Sequence, residues 1–201
     1  MFSTDSAPPS ERALVPEVSL KLLVAGGFMV GKTTFVGSAS DSDIKPLQTE
    51  AALTSAGEGI DHFTGAEPKT TTTVAMDYGR LTLRQSDMNV QLLLYGTPGQ
   101  DRFWFMWDLL AKNALGAVVL ADTRKLTGCF PAVEFFETLR LPFLVAINEF
   151  EGARRYPPEA VSSALSLDAR VPVVCCDARE RDSARHVLIS LVEYAHNLLP
   201  A

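Results

Sequence analysis

The run Gly26-Gly27-Phe28-Met29-Val30-Gly31-Lys32-Thr33 meets the phosphate-binding pattern G-x-x-x-x-G-K-[ST] at every fixed position. The pattern has force only with a strand before it and a helix after it, and both are legible. Leu20 to Ala25 is a short apolar run with the length of a buried strand, and Thr34-Phe35-Val36 opens a helical segment. Glycines let a backbone wrap closely around an anion, with successive N–H groups pointing inward. The following helix adds the partial positive charge of its N-terminus. Lys32 then reaches the terminal phosphates of a nucleotide, and the Thr33 hydroxyl can ligate Mg²⁺. Gly26, Gly27, Phe28, Met29, Val30, Gly31, Lys32, Thr33 and Thr34 are therefore the predicted phosphate cradle.

A chain of 201 residues is long enough for one full domain. A net charge of −6 without a basic run argues against broad nucleic-acid binding. No apolar run approaches the ~20 residues needed to span a bilayer. The N-terminus lacks the features of a signal peptide, and the C-terminus offers no lipidation cysteine. Cys129, Cys175 and Cys176 show neither metal spacing nor a disulfide framework, which fits a reducing cytoplasm. Residues 1–17, rich in Ser, Pro and charge, read as a disordered tail, and 18–199 as the folded domain.

Strands are predicted at Val18–Ala25, Val74–Tyr78 continuing to Leu83, Met88–Tyr95, Gly116–Ala121, Pro142–Ile147 and Val171–Cys176. Helices are predicted after the phosphate loop to about Ser38, and at Phe103–Lys112, Pro131–Leu139, Pro158–Leu165 and Asp182–Leu199. Ser40 to Lys69 reads as one long polar loop, with a helical turn at Ala51-Ala52-Leu53. Strands and helices alternate through the second half. The expected fold is therefore α/β, a mostly parallel sheet covered by helices on both faces. Ligands of such sheets lie beyond the carboxyl ends of the strands. The phosphate loop, Gly96 to Gln100, Asp122, Asn148 and Asp177 all follow strand ends and should share one rim.

This series resembles the five nucleotide motifs of small Ras-like GTPases: a phosphate loop, a Thr before a strand, a Thr-Pro-Gly-Gln turn, an Asn after a strand and a late Asp-Ala-Arg turn. It is also similar to the gliding-type bacterial GTPases. The nearest resemblance is to the GTPase-like protein of actinobacterial conservon operons. It is carried by Lys-Thr-Thr-Thr-Thr-Val-Ala-Met-Asp-Tyr-Gly (69–79), Gly-Thr-Pro-Gly-Gln (96–100) and Arg-Phe-Trp-Phe-Met-Trp-Asp (102–108). It covers about Val18 to Leu199.

The resemblance implies a Ras-like P-loop domain that binds GTP/GDP with Mg²⁺ and acts as a cytoplasmic switch with slow hydrolysis. It implies as partners a roadblock-type small protein and a histidine-kinase-like sensor, so that membrane recruitment would come only through partners. Carried over by residue, Thr33 and Thr73 are metal ligands, with Thr72 the alternative to Thr73. Gln100 orients the attacking water beside Gly99. Asn148 and Glu151 meet the base, as does the turn Asp177-Ala178-Arg179.

Departures accompany the match. Gly96 stands where Ras-like proteins carry a metal-linked Asp, and Asp122 could replace that carboxylate or merely cap its own turn. Asn148-Glu149-Phe150-Glu151 replaces N-K-x-D, so Glu151 is one methylene longer than the guanine-gripping Asp. Phe28 and Met29 fill positions that Ras gives to glycine. Two other readings therefore stay open: a degenerate GTPase fold serving as a non-hydrolysing interaction module, and a P-loop ATPase.

Overall fold

The computed structural model describes residues 16–41, 45–52, 71–84, 87–99 and 101–198. Residues 1–15 of the proposed tail and residues 42–44 and 53–69 of the predicted long loop, like Gln100, lie outside them, and Glu17, expected in the tail, opens the first strand. Among the described residues seven strands form one sheet: β1 (Glu17–Gly26), β2 (Lys45–Ala52), β3 (Thr71–Arg84), β4 (Asn89–Gly96), β5 (Gly116–Ala121), β6 (Phe143–Asn148) and β7 (Val173–Cys176). Their order is β2-β3-β4-β1-β5-β6-β7. β4, β1, β5, β6 and β7 run parallel, and β2 and β3 add an antiparallel edge.

Period-two alternation in the central strand divides the core. Leu22 and Val24 of β1 pack with Phe35, Val36, Leu188 and Leu191, so helices α1 (Lys32–Ala39) and α5 (Arg181–Asn197) cover that face. Leu23 and Ala25 point the other way, toward Trp107, Val133, Phe136 and Val161 on α2 (Trp107–Ala111), α3 (Phe130–Leu139) and α4 (Pro158–Ala164). β5 and β6 are buried along their whole length, which explains their unbroken apolar runs.

Two further expectations need correction. β2 lies inside what the sequence presents as a loop, and Ala51 and Ala52 end that strand rather than making a helical turn. Lys-Pro-Leu-Gln-Thr-Glu-Ala-Ala has little β-propensity. It is a strand because its backbone pairs with β3 from Lys45↔Tyr78 to Ala52↔Thr71, and Pro46 is tolerable because the strand is outermost. The helix expected over Phe103–Lys112 begins as a 3-10 helix (Asp101–Met106) and is α-helical only from Trp107 to Ala111. Of the β7 cysteines, Cys176 is buried and Cys175 exposed.

β1 leads to β4 on one side of the sheet and is flanked by β5 on the other. Its carboxyl end is thus a point where chain connections diverge, the place where ligands of such sheets bind. That end is the phosphate loop.

Candidate functional site

Gly26 leaves β1 at φ 131° and Gly31 enters α1 at φ 101°, both in the region that disfavours side chains. Space demands glycine as well. A Cβ on Gly26 would collide with the Leu120 carbonyl oxygen, and one on Gly31 would meet Asn148 Nδ2 at 2.8 Å. No side chain caps the start of α1, so its first turn opens onto the loop. The loop thus has the glycine backbone and uncapped helix start that a phosphate cradle requires. Phe28 and Met29 form its outer lip, 66% and 79% exposed. Met29 sits at φ 64°, a left-handed conformation costly to a branchless but Cβ-bearing residue.

Lys32 folds back over this cradle. Its Nζ donates to the carbonyls of Gly26 and Gly27 at 2.9 and 2.8 Å. Burial pulls its pKa down from 10.5 to about 8, against the opposing pull of the Asp77 carboxylate. Gly99, from the Thr-Pro-Gly turn after β4, lies directly on it: a Cβ there would stand 2.7 Å from Lys32 Nζ and 3.5 Å from the Gly27 carbonyl oxygen. The turn and the phosphate loop are brought together as the sequence predicts.

The metal side of the site differs from expectation. Thr33 Oγ1 donates to Asp77 Oδ2 at 2.6 Å. The β3–β4 register pairs Tyr78 with Tyr95, and one step further sets Asp77 opposite Gly96. A Cβ on Gly96 would stand 3.1 Å from Asp77 Cβ and 3.3 Å from Oδ2. The carboxylate missing at position 96 is therefore supplied from the adjacent strand, into the same space. Sequence reasoning passed over Asp77; its signal was a lone acid in the apolar run Val74-Ala75-Met76-Asp77-Tyr78.

Asp122 does not play that part. Its carboxylate accepts from the Arg124 backbone N–H at 2.9 Å and from Nη2 at 2.7 Å, and the side-chain bond to Arg124 lowers its pKa. Thr73 stands opposite Glu50 within β3, four residues before Asp77.

A hydroxyl and one carboxylate are hard oxygen donors, and Mg²⁺ commonly takes one or two carboxylates together with substrate phosphates and water. Among the described residues no group of three or more His, Cys, Asp or Glu could hold a metal alone. The fit is to a metal carried with a nucleotide.

At the end of β6, Asn148 is buried and ties two loops together. Its Nδ2 donates to the Val30 carbonyl at 3.0 Å, and its Oδ1 accepts from the Ala178 N–H at 3.0 Å. The turn Asp177-Ala178-Arg179 is internally satisfied. Asp177 N–H donates to Ser183 Oγ, and Arg179 N–H to Asp177 Oδ1. The Arg179 guanidinium grips both carboxylate oxygens of Asp177 at 3.0 and 2.8 Å, and this bonding holds Asp177 down to about 2. Glu149 pairs with Arg155 at 3.3 Å. Glu151 is exposed on the same rim and acts electrostatically on Arg179.

Of the aromatic segment after the turn, Met106 and Trp107 are core, at 3% and 4% exposure, while Phe105 is 43% exposed.

Residues 24–198 match a family described as "Conserved hypothetical ATP binding protein". The chain is also 30% identical over 132 residues to the uncharacterized protein MJ1339 of Methanocaldococcus jannaschii, covering 65% of this chain and 70% of that protein. No helix among the described residues is long and apolar enough to cross a membrane.

Proposed function

The chain belongs to this P-loop ATP-binding family, and from that premise we propose that it is a Mg²⁺-dependent nucleoside triphosphatase working as a slow switch, with weak discrimination between purine bases. The observation that carries the reading is the convergence of Lys32, Thr33, Asp77 and Gly99 on one glycine cradle. On arrival of a triphosphate, Lys32 exchanges the Gly26 and Gly27 carbonyls for phosphate oxygens. Thr33 and Asp77 would hold the metal, which when bound neutralises charge developing on the phosphates.

Base choice follows from donors and acceptors. Asn148 Nδ2 carries two hydrogens and spends one on Val30, leaving one for a purine N7, an acceptor that adenine and guanine share. All three N–H groups of Asp177, Ala178 and Arg179 are engaged inside the protein, so none stands ready for a guanine O6. This favours ATP over the guanine expectation. Glu151 alone pulls the other way, as an acceptor for guanine N1–H and N2–H. We expect ATP and GTP affinities within about tenfold of each other, a difference of about 1.4 kcal/mol. Competition titration against a fluorescent nucleotide measures it, and a hundredfold GTP preference would restore the strict guanine reading.

Gln100 remains the proposed water-orienting residue, and a roadblock-type protein and a histidine-kinase-like sensor the proposed partners. Phe28 borders the cradle mouth, so the Phe28→Gly variant is expected to hydrolyse triphosphate several-fold faster in single turnover. An unchanged rate rules out steric crowding there.

A further inference from the structure

Trp107 lies in the core yet also touches the phosphate-facing turn. Its ring meets Phe135 edge-on at 5.3 Å between centroids and stacks on Phe136 at 6.0 Å. Phe136 is fully buried and packs in turn on Phe143 of β6. This places the indole on a rigid base of α3 and the sheet. Its Nε1–H points out of that base and donates to the Pro98 carbonyl at 3.2 Å, a buried bond.

That bond has a geometric consequence one residue on. The Pro98–Gly99 peptide is planar and trans, because no cis bond occurs among the described residues. In such a unit the carbonyl and the next N–H point in opposite directions. With the Pro98 carbonyl held toward Trp107, the Gly99 N–H faces away from the α3 core. The Gly99 α-carbon lies against the phosphate loop, where an added Cβ would stand 2.7 Å from Lys32 Nζ and 3.4 Å from Phe28 Cα. Turning this peptide over requires either breaking a buried hydrogen bond or dragging the indole off two phenyl rings.

We infer that Trp107 is a positioning residue for the terminal phosphate: through Pro98 it fixes the orientation of the Gly99 peptide beside Lys32, and so sets the preference for a triphosphate over a diphosphate. This rests on the nucleotide reading above. The role lies in the N–H, not in the ring's bulk, so phenylalanine separates the two. Trp107→Phe keeps an aromatic ring in the stack and deletes the donor.

The test is calorimetric titration of wild type and Trp107→Phe with a non-hydrolysable imido triphosphate and with the diphosphate of the same base. Expected for Trp107→Phe is a five- to tenfold loss of triphosphate affinity, about what one buried hydrogen bond supplies, with diphosphate affinity within twofold of wild type. Equal weakening of both nucleotides, or of neither, overturns the inference. A spectroscopic arm covers the case in which Trp107→Phe does not fold. The chain has two tryptophans, so Trp104→Phe leaves Trp107 as the sole indole emitter. Its emission is expected to differ between triphosphate and diphosphate complexes, and identical spectra overturn the inference. A wild type that binds neither nucleotide overturns the nucleotide reading itself, and this inference with it.

Discussion

Replacing Lys32 by methionine is expected to cost the chain its nucleotide and to make the empty domain more stable. The two effects share one cause. Lys32 is held charged in a place that disfavours charge, with only two carbonyl oxygens and the Asp77 carboxylate for compensation. Its folded pKa of about 8 lies below the 10.5 of the free side chain. Between those values the unfolded chain binds a proton that the folded chain has released, so stability rises with pH across that window. Below about pH 8 both states are charged and the folded state carries the full penalty.

Methionine fills similar space without that penalty. The Gly26 and Gly27 carbonyls lose a donor, which offsets part of that gain. The net gain should be about 1–2 kcal/mol at pH 7, or a few degrees in Tm for a chain of this length. The rise in stability between about pH 8 and 10.5 should flatten. In exchange the charge-assisted contact to phosphate is lost, worth about 1.5–3 kcal/mol or roughly 10- to 150-fold in affinity. Thermal melts across pH and nucleotide titration on the same preparation check both halves. A methionine variant that is less stable when empty and binds nucleotide like wild type would remove Lys32 from the site.

Much of this arrangement is legible in the chain itself, and the exceptions have a common origin. The phosphate loop is readable because its chemistry is local: the glycines, the lysine and the threonine lie within eight consecutive residues. β5 matches its predicted span, Gly116–Ala121, because a strand buried on both faces writes an unbroken apolar run. Asn148 is readable because it terminates another such strand. What escaped is set by pairing. β2 is a strand only because β3 lies beside it, and no residue in Lys45–Ala52 announces that partner. Trp107 sits within five bulky apolar residues, and nothing in their order shows that it turns inward while Phe105 faces solvent. Asp77 is the most consequential case. Its role depends on the β3–β4 register, and a shift of one residue would turn its side chain to the other face. Once Tyr78 is set against Tyr95, the acid at 77 and the glycine at 96 become cross-strand neighbours. The glycine then reads as room made for the acid.

That reciprocity makes a paired substitution the sharpest test of the metal site. Asp77→Asn keeps an oxygen able to accept the Thr33 hydroxyl, so the fold and the 2.6 Å contact should survive while the charge is lost. Triphosphate affinity in Mg²⁺ should fall about 10- to 100-fold, the range seen when a metal site loses a supporting group, and affinity in excess EDTA should not change. Gly96→Asp alone should also be harmful. Its Cβ would crowd Asp77 Cβ at 3.1 Å, tighter than ordinary contact, and would set two carboxylates side by side. Joining Gly96→Asp to Asp77→Gly removes the crowding and returns one carboxylate to the same space from the opposite strand. The double variant should therefore recover part of the Mg²⁺-dependent affinity that Asp77→Gly loses, a coupling far from the sum of the two single effects. Additive losses, or an Asp77→Asn protein whose triphosphate binding still responds fully to Mg²⁺, would show that the carboxylate beside Thr33 holds a hydroxyl and not a metal.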